Sequence, residues 1–289
     1  MFDKKMGLIV EGGGMRGAYT GGVLEAFSDQ NIHFPYVIAV SAGANTSCSY
    51  LSNQPTRNNR LYTEWITDKR FIHFTNLFKE GSYFGMNFLF GELPEVLDPF
   101  DFETFRQSNV TFKVGTTHCE TGEPVYFEPT KVSHLSDANQ ILRASSSLPV
   151  ISKTVNINGE YYLDGGIVDP IPIQKSIEDG NSHHVVILTR NAGYQKTYSK
   201  TLDRLCRIYL KKYPHVIEKI KIRHQKYNDT LKQIQELEKQ GIVYVFRPQS
   251  PLKVDRFEKD SPKLKELYKQ GYQETMDCLE SFYAWQSSF

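Results

Sequence analysis

Apolar residues in the first half of the chain gather in short uninterrupted runs, each broken by glycine or a small polar residue. Gly7-Leu8-Ile9-Val10 ends in Glu11 and three glycines, the pattern of a strand buried on both faces that enters a tight turn. From 18 to 27 apolar positions recur at helical spacing (Val23, Ala26, Phe27), with Gly17 opening the helix. Residues 36–40 form a second strand rich in β-branched residues; it stops at Ser41, and Ala42-Gly43-Ala44 opens another helix towards Leu51. Strand, glycine turn, helix, strand, sharp turn, helix predicts a three-layer α/β/α fold with a largely parallel central sheet. Further strands are expected at 111–116, 123–127, 161–163 and 185–189. From about 201 to 239 the pattern changes to long helices rich in Lys and Arg. A strand at 242–246 and a helix from 261 to about 285 complete the chain. No repeat and no Pro/Gly/Ser linker interrupts it. Residues 1–195 therefore read as the α/β domain, and 196–289 as a basic helical extension with one strand, packed on the same body.

Composition narrows the choice of partner. The 289 residues are 39% hydrophobic and 23% charged, enough for a sizeable core, and the formal net charge of +1 gives no global attraction to nucleic acid. Cys48, Cys119, Cys206 and Cys278 are scattered without a CxxC pair, which predicts neither a disulfide framework nor a zinc site and fits a reducing compartment. Residues 1–6 run straight into the first strand, leaving no room for the apolar core of a signal peptide. No apolar run approaches the ~20 residues that span a bilayer. A cytoplasmic protein is expected, at most peripheral to a membrane, with no metal-ligand cluster and no cofactor. The sequence does not fix its oligomeric state.

Candidate chemistry lies in three motifs. Gly12-Gly13-Gly14-Met15-Arg16-Gly17 follows a strand directly. Glycines remove Cβ, so successive backbone N–H groups can converge on one point beside the positive end of the following helix, and such a loop binds a phosphate or a transient oxyanion. Gly12, Gly14 and Gly17 also satisfy the dinucleotide fingerprint. That reading needs an acidic residue at the end of the second strand, where the chain has Val40-Ser41. The second motif, Ala39-Val40-Ser41-Ala42-Gly43, places a serine between a buried strand and a helix, the form of a nucleophile elbow with Ala39 in place of the usual first glycine. Taken alone, Ser41 reads equally well as a helix N-cap. The third, Asp164-Gly165-Gly166, sets a carboxylate on a tight turn after a strand; alone it reads as an ordinary Asp-Gly turn.

Together these motifs resemble the patatin-like phospholipase family of lipid acyl hydrolases. The stretches Ala144-Ser145-Ser146-Ser147-Leu148-Pro149 and Gly159-Glu160-Tyr161-Tyr162-Leu163-Asp164 are similar to those that lead to that family's aspartate. The resemblance runs from about Gly7 to Pro172. It implies a patatin-like fold acting on a lipid or fatty-acyl ester, with Ser41 as nucleophile and Asp164 as its partner. It also implies an oxyanion hole from the amides of Gly12, Gly13 and Gly14, with Arg16 holding the loop or facing an anionic head group. A buried aspartate can take the serine proton because burial raises its proton affinity from an ordinary value of about 3.9.

Three other readings stay open: an idle scaffold of the same fold, a dinucleotide-binding oxidoreductase, and an α/β-hydrolase esterase completed by a histidine. His183 and His184 follow Asp164 in the order such a triad needs, but they precede a strand, at the wrong end of a parallel sheet. His118 and His134 come before Asp164.

Two further features concern lipid contact. Phe71, Phe74, Phe78, Tyr83, Phe84, Met86, Phe88, Phe90, Phe100, Phe102 and Phe105 are mostly expected in the core, and some could wall an acyl trough; Gly81, Gly85 and Gly91 could loosen a lid. Arg204, Arg207, Lys211, Lys212, Lys219, Lys221, Arg223 and Lys226 interleave with apolar residues. They form a solvated basic helix face, or one that touches anionic phospholipid.

Overall fold

The computed structural model describes residues 5–289; the expectation about a leader falls partly on Met1–Lys4, outside them. The strands are β1 (Met6–Val10), β2 (Tyr36–Val40), β3 (Thr111–His118), β4 (Pro124–Phe127), β5 (Val155–Ile157), β6 (Glu160–Asp164), β7 (His183–Ile187) and β8 (Val243–Phe246). The helices are α1 (Gly17–Asp29), α2 (Ala42–Leu51), α3 (Pro55–Thr63), α4 (Thr75–Lys79), α5 (Phe102–Gln107), α6 (Leu135–Ser145), α7 (Ile173–Glu178), α8 (Lys200–Tyr209), α9 (Pro214–Lys239), α10 (Ser261–Asp277) and α11 (Leu279–Gln286). They build a mixed α/β fold around one sheet of order β5-β6-β3-β2-β1-β7-β8, with β4 paired to β3. The pairs β1·β2, β2·β3, β1·β7 and β7·β8 are parallel. Those around β4, β5 and β6 are antiparallel.

The central strands explain the layering. Side chains alternate across a strand, so Leu8, Val10, Val37, Ala39, Val185 and Ile187 join one apolar cluster, with helix residues such as Val23, Phe27 and Leu264. Ile9, Ile38, Val186 and Leu188 join a second, with Ile173 of α7 and Tyr227 and Ile234 of α9. Both faces are covered, which is why these strands read as continuous apolar runs.

The C-terminal region contributes to this same body: β8 extends the sheet beside β7, and α10 lies against α1. The two helices approach as closely as their glycines allow. A Cβ on Gly22 would strike the Tyr268 carbonyl, and one on Gly271 would strike the Tyr19 carbonyl. Because backbone cannot yield as a side-chain tip can, Gly271→Ala is expected to lower unfolding stability by about 1–3 kcal/mol. A urea midpoint shifted downward at unchanged slope would show it, and an unchanged midpoint would refute this account of the packing.

Three local features differ from the sequence pattern. β5 has only three residues and was too short to signal itself. The helix expected from 261 to about 285 is two helices that break at Cys278, with neither proline nor glycine to announce the break. Residues 88–97 form a wide-turn helix carrying Pro94 and kinked at Phe90.

Candidate active site

Register on β3 brings Ser41 and Asp164 together. Thr116 pairs with Val125 of β4 and Asp164 of β6, so β4 and β6 lie on opposite edges of β3. Gly115 pairs with Tyr126 of β4 and Val40 of β2, so β2 also lies opposite β4. Hence β2 and β6 share one edge of β3, approach from opposite directions and stop at neighbouring residues, Gly115 and Thr116. Ser41 follows the end of β2 and Asp164 ends β6. Two distant stretches of sequence thus meet over one residue step.

Ser41 occupies φ 57°, ψ −128°, a conformation rare for a residue with a side chain. Such strain costs on the order of 1–3 kcal/mol and persists only where surrounding structure enforces it. The enforcing group is Ser145 at the end of α6. Its buried Oγ accepts the Ser41 N–H at 2.8 Å and donates to the Gly115 carbonyl at 2.7 Å. Its two successors continue the brace: Ser146 Oγ accepts from Asn45 Nδ2 of α2, and the Ser147 carbonyl accepts the Asp164 N–H. Ser41 occupies the N-cap position of α2, but its side chain makes no capping hydrogen bond.

The glycine loop crosses directly above this turn. A Cβ on Gly12 would lie 2.8 Å from the Val40 carbonyl oxygen and 2.9 Å from Ser41 Cβ. Gly14 has φ +59° and rests on the Arg256 carbonyl, which accepts the Met15 N–H. Among the described residues, no protein acceptor takes the N–H of Gly12 or Gly13. Glu11 anchors the loop from below: its carboxylate accepts from Thr189 N–H and Oγ1 and from the Tyr227 hydroxyl.

Asp164 is 2% exposed. Its Oδ1 accepts the Gly166 N–H at 2.7 Å, while Oδ2 is buried without a hydrogen-bond partner. Burial raises the carboxyl's pKa above its ordinary value; the neighbouring Ser41 hydroxyl, Arg223, Gly166 and Arg256 oppose that rise. The Ser41 hydroxyl is thus near enough to act on this carboxyl, short of a formed hydrogen bond. A buried, unpartnered carboxylate oxygen beside a hydroxyl has the surroundings that a general base requires.

Two cavities open on Ser41. An apolar trough of about 140 Å³ is walled by residues that include Phe71, Phe84, Met86, Phe90 and Leu142. A smaller polar cavity of about 40 Å³ contains Gly12, Gly13, Gly14, Ser41 and Asp164 and also Arg16, Arg190, Lys196, Arg223 and Arg256. No histidine lines either cavity. His183 and His184 begin β7 beside Met6 and Gly7, at the opposite end of the sheet, and buried His184 is bonded to Ser176. Arg223 belongs to the site and not to an outer basic face: its Nε donates to the Gly166 carbonyl. Lys196 and Arg256 carried no motif and were missed by sequence reading; Ser145 lay within the Ala144–Pro149 stretch, but its role was not legible. Phe74 and Phe78 do not join the trough wall; they are exposed, Phe74 just before α4 and Phe78 on it, whereas Phe88 is core. Gly85 is packed against the Arg70 carbonyl, while Gly91 stands in open space. Among the described residues, no group of three or more His, Cys, Asp or Glu is placed to hold a metal ion.

Residues 8–176 match the patatin-like phospholipase family, and residues 213–287 match a domain of unknown function (DUF6363). The chain is 30% identical over 190 residues to an uncharacterised protein, YjjU, of Escherichia coli K12. That match covers 64% of this chain and 52% of YjjU, so it spans about half the length of that curated relative. The fold is similar to the crystal structure of VipD from Legionella pneumophila (TM-score 0.55, 13% identity), covering 96% of this chain and 67% of VipD.

Proposed function

The chain belongs to the patatin-like phospholipase family, and from that premise we propose that it is a serine acyl-ester hydrolase acting on lipids through a Ser41–Asp164 dyad. One observation carries this reading: Ser41 stands where the apolar trough meets the polar cavity that holds the free oxygen of Asp164. An acyl chain in the trough brings its ester carbonyl over the Ser41 hydroxyl. As that oxygen attacks, Asp164 Oδ2 takes its proton, and the free amides of the Gly12–Gly14 loop receive the developing oxyanion. The tetrahedral intermediate collapses, and Asp164 returns the proton to the departing alcohol. Water then attacks the acyl-serine, with Asp164 again taking and returning a proton, and releases the fatty acid.

We take 1–195 as the catalytic domain and 196–289 as an extension that completes its polar cavity. Among the described residues, no helix is long and apolar enough to cross a membrane. Phe74, Leu77 and Phe78 are exposed on or just before α4, between the trough residues Phe71 and Phe84, with Phe78 at 85%. Leu205, Ile208 and Tyr209 are exposed on α8 beside Arg204, Lys211 and Lys212. Both patches suit peripheral contact with a bilayer.

The direct test is labelling of Ser41 by a fluorophosphonate probe, together with fatty-acid release from diacyl phospholipid vesicles and from a short soluble ester. Labelling with release supports the hydrolase; a folded chain that does neither is an idle scaffold. Phe78→Asp is expected to reduce vesicle hydrolysis about 10-fold while soluble-ester turnover stays the same, and equal loss on both substrates would remove α4 from the membrane contact.

A further inference from the structure

The polar cavity beside Ser41 holds far more positive charge than the proposed acyl transfer uses. Four arginines and a lysine line it, against the two carboxylates of Glu11 and Asp164. Glu11 is already engaged by Thr189 and Tyr227. Among the described residues, none of the five cations is ion-paired to a carboxylate, and Arg16, 6% exposed, keeps its Nε buried without a partner. Arg190 lies over the Tyr194 ring at 4.4 Å, and Lys196 Nζ lies 4.7 Å from the Tyr227 ring centre. One buried and four half-buried cations that outnumber the carboxylates beside them are expensive to hold together, and an anionic ligand would offset that cost.

The cations are also held in place. The backbone N–H and carbonyl of Lys196 are both bonded to the Asn228 side chain of α9, at 2.8 and 3.0 Å. Arg223 is tied to the Gly166 carbonyl, and the Arg256 backbone is tied to the glycine loop through Met15. Burial, then the nearby Arg223 and Arg256, brings the Lys196 pKa down to about 7. An anion entering the cavity would relieve that repulsion. Arg190, Lys196, Arg223 and Arg256 all lie beyond residue 176, and Arg223 and Arg256 fall in the region matched only to a domain of unknown function.

We propose that Arg190, Lys196, Arg223 and Arg256 form, with Arg16, a recognition pocket for a phosphate group carried as a monoester next to the scissile ester. The C-terminal region thereby selects substrates such as diacylglycerol phosphate. Tetrahedral phosphate oxygens accept several donors at once, which suits four planar guanidinium forks converging with an ammonium. The cavity is far smaller than the trough, and this favours a compact phosphate monoester over a head group bearing a polyol. Free phosphate shares the chemistry, so the experiment separates the two sources.

This assignment rests on the hydrolase reading for its substrate but not for its anion. Calorimetric titration of the full chain with inorganic phosphate, at constant ionic strength, tests the pocket alone. Hydrolysis of diacylglycerol phosphate and of diacylglycerol with the same acyl chains, in neutral detergent micelles, tests its use. Phosphate binding with a kcat/KM preference of at least about 10-fold for the phosphate lipid is expected. Lys196→Met should erase most of both, and Lys196→Arg should retain them, with melting curves confirming that each variant is folded. Phosphate binding without lipid preference keeps the pocket and assigns it to free phosphate. No binding and no preference overturns it, even if both lipids are cleaved. Binding by a chain that cleaves neither lipid leaves the pocket standing and overturns the hydrolase reading instead.

Discussion

Ser41→Ala is expected to lower kcat/KM on a short acyl ester by at least about 10⁴-fold and to abolish fluorophosphonate labelling, with the fold intact. Among the described residues, the oxygen it removes is the only hydroxyl shared by the trough and the cavity that holds Asp164. The elbow itself should persist, because Ser145 holds the backbone N–H of residue 41 and not its side chain. Stability offers an independent check. At φ 57° and ψ −128° a Cβ is a liability, so Ser41→Gly should be more stable than Ser41→Ala by about 1 kcal/mol, although equally inactive. If Ser41→Ala retained more than a few per cent of activity, the nucleophile would have to be sought elsewhere. If the glycine variant were the less stable, the strain assigned to the turn would be wrong.

Asp164→Asn should reduce kcat about 10³-fold or more, since an amide cannot take up the serine proton. It should not destabilise the fold at neutral pH. Burial raises the Asp164 pKa above its unfolded value, so the native state binds this proton more tightly than the unfolded chain does. The sign follows by linkage. That contribution is fully present below the unfolded value and is lost as pH rises through the folded one, leaving the ionised carboxylate as a cost at neutral pH. Asparagine carries no such cost, so its melting temperature should equal or exceed the wild type's at pH 7, and the gap should close in acid. In the proposed dyad activity needs the carboxylate form, so the acid limb of the wild-type pH profile should lie above the ordinary carboxylate range. A strongly destabilised Asp164→Asn protein, or an acid limb at or below that range, would contradict this account.

What the sequence disclosed depended on how each feature is made. Ser41 and Asp164 left traces because sharp turns at strand ends need small neighbours, and Ala42-Gly43 and Gly165-Gly166 are visible as letters. The strands of the central sheet were legible because burial on both faces forces continuous apolar runs, as in residues 36–40. Ser145 was invisible in its role, because one serine among three gives no sign of which neighbour its hydroxyl will hold. Arg223 misled for a related reason. An arginine on a helix has the same spelling whether it faces water or reaches into a cavity, and only the packing of α9 against the Gly165-Gly166 turn decides. Lys196 and Arg256 sit in irregular segments with no periodicity to orient them. The break at Cys278 and the kink at Phe90 arise from tertiary packing that local propensity does not encode.

Because β3 sets where β2 and β6 stop, the gap between hydroxyl and carboxylate is gauged by a third strand and not by the polypeptide that joins them. A two-residue slip of β6 would move Asp164 by roughly 6–7 Å, so register is under strict control. The long excursion from 52 to 110 carries no such duty. It supplies about half of the trough wall, and beyond α3, which packs on α1 and α2, its connecting loops can change length at little entropic cost. In the proposed hydrolase, appetite for acyl length and capacity for bond cleavage can therefore be inherited as separate traits.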